Sequence, residues 1–153
     1  MFQAELDSIC YNLSPSTWLN PHKSWLGLGN YDVNVITAAL HTRDCDLVWF
    51  DKRKMPETIV TEHVLGFILN VPNTLKLGWL QLPVQRKHWV ALKEVELGHF
   101  YNLDSKLKSA ELVGGRGEFM DFLQKELSCS EKELFLIVSK VVMEDGSWRV
   151  DSS

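Results

Sequence analysis

The sequence predicts an α+β fold. Helix-spaced apolar residues dominate its first forty positions. Short apolar runs and period-two alternation dominate after residue 45, and no regular strand-helix-strand order links the two. The length of 153 residues suits one core, and six tryptophans supply large apolar surfaces to fill it. The expected organisation is a single domain over 1–144, followed by a polar tail over 145–153 that frays.

Phe2 to Leu13 reads as an amphipathic helix, with Phe2, Leu6, Ile9, Cys10 and Leu13 on one face. Ser14-Pro15 ends it, because a proline disfavours helical geometry in the residue before it. A loop runs through Pro21 to Gly27 and Gly29. Asn30 or Asp32 caps the next helix, whose expected buried face is Val33, Ile36, Ala39 and Leu40.

Asp46 to Phe50 has the pattern of a central strand. Glu57 to His63 predicts a helical turn or two, and Val64 to Val71 is a second apolar run, interrupted by Gly66 and closed by Pro72. From Lys87 to Ser105 the chain reads as a hairpin turning at Gly98. His88, Val90 and Leu92 fall on one face, and Phe100, Asn102 and Asp104 share a face of the return strand. Gly114 to Gly117 predicts a loop, Glu118 to Leu127 a helix with Phe119, Phe122, Leu123 and Leu127 inward, and Leu134 to Val142 a last strand.

The balance of 45% hydrophobic and 24% charged residues is that of an ordinary globular chain. The net charge is −4 and the basic residues are scattered. Asp51-Lys52-Arg53-Lys54 and Arg86-Lys87-His88 therefore read as solvated loop ends, and no nucleic-acid partner is expected. Three cysteines, Cys10, Cys45 and Cys129, cannot all pair and show no metal-ligand spacing. Reduced thiols, no metal, no cofactor and a cytoplasmic location are the expectation. No signal sequence follows Met1 and no apolar stretch is long enough to span a bilayer, so the Asn12-Leu13-Ser14 sequon reads as a chance match.

The chemistry concentrates in the hairpin. A histidine held by an amide oxygen is the second half of a Cys-His-Asn arrangement, which makes His88 and Asn102 candidates. A wide loop centred on Val95 sets them opposite each other. A tight turn at Leu97-Gly98 offsets them by about four residues, roughly 13 Å at strand rise. Asp104 lies on the same face and could serve instead. No cysteine looks like a reactive nucleophile: Cys10 lies on an apolar helix face, Cys45 between Asp44 and Asp46, and Cys129 past a helix C-terminus. There is no Gly-x-Ser-x-Gly elbow and no phosphate loop, while His22, His41, His63 and His99 read as surface or loop histidines.

Several blocks resemble the short Josephin-domain proteins. These are Leu13-Ser14-Pro15, Asn20-Pro21-His22-Lys23, Leu26 to Ile36, Val48 to Arg53, Arg86 to Leu92, Tyr101 to Leu107 and Gly146-Ser147-Trp148-Arg149. The resemblance implies a papain-like cysteine protease fold and hydrolysis of peptide or isopeptide bonds at the C-terminus of ubiquitin, with ubiquitin or polyubiquitin as partner. By the same resemblance His88 is the general base, Asn102 its orienting partner, and Val33 and Asn34 contact ubiquitin. The family's nucleophilic cysteine follows a glutamine in a segment that would lie upstream of Phe2. The expectation is therefore a domain incomplete at its N-terminus, lacking its nucleophile helix and inactive alone. The alternative is a non-catalytic Josephin-like protein that binds ubiquitin without cleaving it.

Overall fold

The computed structural model describes residues 33–77 and 79–150. The expected helix from Phe2 to Leu13, the loop to Gly29, the caps Asn30 and Asp32, Cys10 and His22 lie outside the described residues. The chain divides into two compact units, 1–46 and 47–153.

In the first unit, helix α1 spans Val33–His41. Its buried residues are Val35 and Ala39, one turn apart. Val33, Ile36 and Leu40 are only half-buried, so the inward face is rotated from the one expected. Thr42 Oγ1 donates to Ala39 O beyond the helix end, and Asp44 takes a left-handed φ of 54° in the turn that follows.

The second unit is built on an antiparallel framework. Strands β1 (Cys45–Trp49), β2 (Gly66–Leu77), β3 (Leu80–Glu96), β4 (His99–Asn102), β5 (Glu111–Gly114) and β6 (Glu133–Ser139) form one sheet in the order β1-β6-β2-β3-β4-β5. β1 thus stands at an edge among the described strands, not at the centre as its apolar run suggested. Two 3-10 turns, Pro56–Thr58 and Thr61–His63, fulfil the expectation for 57–63. β2 continues through Pro72. It pairs with β6 only from Gly66 to Asn70, so the proline stands where the strand has a single neighbour.

β2 and β3 are in register as Phe67 with Leu92, Leu69 with Val90 and Val71 with His88, which places these six on one face. Helix α2 (Arg116–Leu127) packs there, burying Phe119, Met120, Leu123 and Leu127. Phe119 stacks on Phe100 with ring centroids 4.2 Å apart and meets Phe67 edge-on at 4.9 Å. The helix begins earlier than expected, directly after β5. Gly114 permits the tight corner: its φ is 137°, and a Cβ there would lie 2.7 Å from the Glu118 Cβ.

The expected last strand ends at Ser139. Residues Lys140–Asp145 form a short helix, α3, because the Ser139 hydroxyl accepts the Val142 N–H and Gly146 closes it in a left-handed conformation. Of the segment expected to fray, the described residues 145–150 are tied down. Trp148 packs against the core, Arg149 bridges Ile59, and the Val150 N–H donates to Thr58 O. Lys52, expected as a solvated loop end, donates from Nζ to the carbonyls of Cys129, Ser130 and Lys132 and so clamps the turn before β6. Arg53 grips the Asp51 carboxylate, whose pKa falls to about 2 under the Arg53 side-chain and backbone bonds.

Phe119 is fully buried between sheet and helix. Phe119→Ala is expected to cost about 3–5 kcal/mol and to lower the thermal midpoint by roughly 10 °C, read by circular dichroism. A shift of a degree or two would contradict its place at the centre of the core.

Candidate functional site

His88 lies mid-strand, since β3 begins at Leu80 and not beside the histidine. The hairpin turn is the tight one. Leu97-Gly98 joins Glu96 to His99, Gly98 takes a φ of 76°, and a bulge falls between Glu94 and Glu96. Leu92 therefore pairs with Asn102, which leaves His88 four residues further along β3 from the position opposite Asn102.

The chain closes part of this offset by leaving the strand. β4 ends at Asn102, whose Oδ1 accepts the Asp104 N–H at 2.9 Å. This is an asparagine turn, in which a side-chain carbonyl caps a backbone donor two residues on. The Leu103 N–H still reaches Ala91 O, so the bend begins after it. Asp104 then meets the imidazole, with His88 Nε2 and Asp104 Oδ1 2.6 Å apart. The same oxygen accepts the Lys106 N–H at 2.9 Å.

An ionised carboxylate can only accept, so the proton of a neutral imidazole sits on Nε2 and Nδ1 is left with a free lone pair. Burial pushes the Asp104 pKa up. The Lys106 N–H, the His88 hydrogen bond and the nearby positive charges outweigh it and hold the carboxyl below its ordinary value. The pair is shielded, with side-chain exposures of 13% for His88 and 17% for Asp104, so water weakens the bond little.

His88, Asn102 and Asp104 line one cavity of about 310 Å³, floored by Leu69, Val71 and Val90 and walled by Phe122 and Glu126 of α2. The Glu126 carboxylate is paired with Lys132 Nζ at 2.6 Å. Asn102 and Phe122 also line a second cavity of about 350 Å³, so the two spaces meet at those side chains. The sequence brought His88, Asn102 and Asp104 to one face, and the cavity contains all three. Of the other two, Asp104 is the one hydrogen-bonded to the ring, and the Asn102 side chain bonds to the Asp104 N–H. Lys106, Phe122 and Glu126 were not anticipated at the site. The helical spacing of Phe122 and Glu126 was the available signal for the last two.

Neither Cys45 nor Cys129 lines this cavity. Val33 and Asn34 occupy the first turn of α1, the former half-buried and the latter exposed. His41 meets Asp46, while the Nδ1 atoms of His63 and His99 lie near the Ser147 and Leu97 carbonyls. Among the described residues no group of three His, Cys, Asp or Glu side chains could hold a metal ion, and no helix is long and apolar enough to cross a membrane.

The Asp104 carboxylate has a lowered pKa when folded, so its charged form is favoured by folding. Its contribution is complete above the ordinary carboxylate value of about 4 and is lost as pH falls through the lower folded value. Urea denaturation of wild type and Asp104→Asn is expected to give a stability gap whose acid limb changes as the Asp104 carboxylate takes up its proton, below about pH 4. A gap that stays flat through the acid limb would show that the carboxylate is not the titrating group there.

The Josephin family model matches residues 4–138. The chain is 47% identical to human Josephin-2 over 146 residues, covering 95% of this chain and 77% of that protein. It is 46% identical to a Josephin-like protein of Drosophila melanogaster over 139 residues, spanning 90% of this chain but only 62% of that relative. A Josephin-like protein of Arabidopsis thaliana is 36% identical over 113 residues, or 72% of this chain and 30% of the relative. The chain belongs to the Josephin family, a family of papain-like α+β fold associated with deubiquitinase activity.

Proposed function

We propose that this domain supplies the general base and its orienting acid to a thiol-dependent ubiquitin hydrolase, and that the sulfur comes from a Gln-x-x-x-x-Cys type segment rather than from Cys45 or Cys129. One observation carries the reading: His88 lines an open cavity while its Nε2 pairs with Asp104 Oδ1, so that in the neutral ring Nδ1 is the nitrogen without a proton. In the proposed reaction Nδ1 removes the thiol proton, and the thiolate sulfur attacks the C-terminal carbonyl carbon of ubiquitin. The C–N bond then breaks as the proton passes from Nδ1 to the leaving lysine amine. Water hydrolyses the thioester with the imidazole again taking a proton. Asp104 steadies the imidazolium at both stages, the role the family resemblance had given to Asn102.

The test joins this chain to such a cysteine segment and measures cleavage of a ubiquitin C-terminal amide. His88→Ala should lose roughly 10³-fold or more in kcat, with ubiquitin affinity held within a few fold. Parallel loss of both would make His88 a structural residue.

Since neither Cys45 nor Cys129 lines the cavity, a second reading is that the chain by itself binds ubiquitin without cleaving it. A ubiquitin probe with a C-terminal electrophile separates the two. Labelling of the cysteine-bearing form supports the hydrolase, and ubiquitin binding by that form without labelling supports the module. The first turn of α1 is the proposed ubiquitin contact, through the half-buried Val33 and the exposed Asn34. Asn34→Arg is expected to weaken ubiquitin binding several-fold in a calorimetric titration, and an unchanged isotherm removes that surface from the proposal.

A further inference from the structure

We infer that Asn102 is a positioning residue that acts on the imidazole through Asp104, by bending the chain at the end of β4, rather than by touching the ring. The inference rests on the catalytic reading of His88 and extends it by one residue.

Strand geometry alone puts Asp104 in the wrong place. Continued in the observed register, β4 would carry residue 104 opposite Val90, and the position opposite His88 would fall to residue 106. An aspartate locked opposite Val90 would stand two residues, roughly 7 Å, along the sheet from the imidazole. The chain departs from the strand instead, and the departure has an identifiable cause. The Leu103 N–H keeps its ladder bond to Ala91 O, and the next N–H, that of Asp104, turns to the Asn102 side chain at 2.9 Å. The turn then tightens, as the Lys106 N–H bonds to Asp104 Oδ1 and the Leu107 N–H to Asp104 O. The result is a carboxylate whose oxygen lies 2.6 Å from His88 Nε2.

Asn102 supplies what the turn requires. An Asn or Asp side chain is short enough to accept from the N–H two residues on, and each does so readily. Alanine and leucine have no acceptor. Without one, the Asp104 N–H must find water or the sheet, and the backbone at 103–105 has no reason to hold this bend. The effect on His88 is indirect but local, because every bond in the series from Asn102 to Asp104 to His88 is one contact long.

The experiment records nitrogen-15 spectra of the histidine rings in the chain itself, for wild type and for Asn102→Ala, Asn102→Leu and Asn102→Asp. Leucine keeps the volume of the side chain, so a variant without an acceptor is available even if alanine fails to fold. Thermal melts confirm folding in each case. Wild type is expected to show His88 as one neutral tautomer with a slowly exchanging Nε2 proton. The alanine and leucine variants should show mixed tautomers and Nε2–H exchange at least fivefold faster, and aspartate should restore the wild-type pattern. In the cysteine-bearing form, alanine and leucine should lower kcat about tenfold with KM within twofold, and aspartate should return kcat to within threefold. Folded alanine or leucine variants with an unchanged His88 tautomer and exchange rate would overturn the inference. The ring spectra do not depend on turnover. Failure of the protease reading, shown by an active His88→Ala enzyme, is therefore a separate outcome.

Discussion

A single hydrogen bond between an imidazole and a carboxylate organises the functional end of this fold. It is short, shielded and reached by a chain that must leave its strand to make it. The surrounding architecture supplies the rest. The long β2–β3 ladder holds the His88 backbone in register with Val71, and α2 closes the same face with Phe119 and Leu123 below and Phe122 and Glu126 at the rim. An imidazole at the mid-point of a long paired strand has little freedom to move. That rigidity suits the role proposed for His88, a base held in place for its nucleophile.

The polarity of the pair decides which chemistry is open. With Nε2 turned to Asp104, the remaining nitrogen is the one the proposed reaction uses for proton transfer. The carboxylate stays ionised because two N–H donors converge on its Oδ1 oxygen. Such an arrangement raises the cost of the wrong tautomer and stabilises the ring when it becomes cationic. A neighbouring acid, Glu126, is kept from competing by its own bond to Lys132. The same geometry lets the Asn102 side chain, bonded to the Asp104 N–H, act on the ring through where Asp104 stands.

Much of this was legible in the residues. Alternation in the 88–92 and 100–104 segments correctly placed His88, Asn102 and Asp104 on one face, and Gly98 marked the turn. The choice between Asn102 and Asp104 was not legible. It depends on a tight two-residue turn, a bulge at Glu94 to Glu96 and a bend after the strand, all of which shift register without changing the alternation. The edge position of β1 was hidden for a related reason: its neighbour is β6, some ninety residues away, and a local apolar run carries no record of its partners. Helix α3 is different. Ser139 and Gly146 are ordinary start and stop signals, and they outweigh the strand pattern of the apolar Val141-Val142 pair.

The most direct measurement is a crystal structure of the cysteine-bearing form captured covalently by a ubiquitin probe. The account predicts His88 Nδ1 within about 4 Å of the modified sulfur, the geometry of a base beside its nucleophile, with Nε2 still on Asp104. A sulfur lying elsewhere, or an imidazole turned away from Asp104 toward another partner, would contradict it.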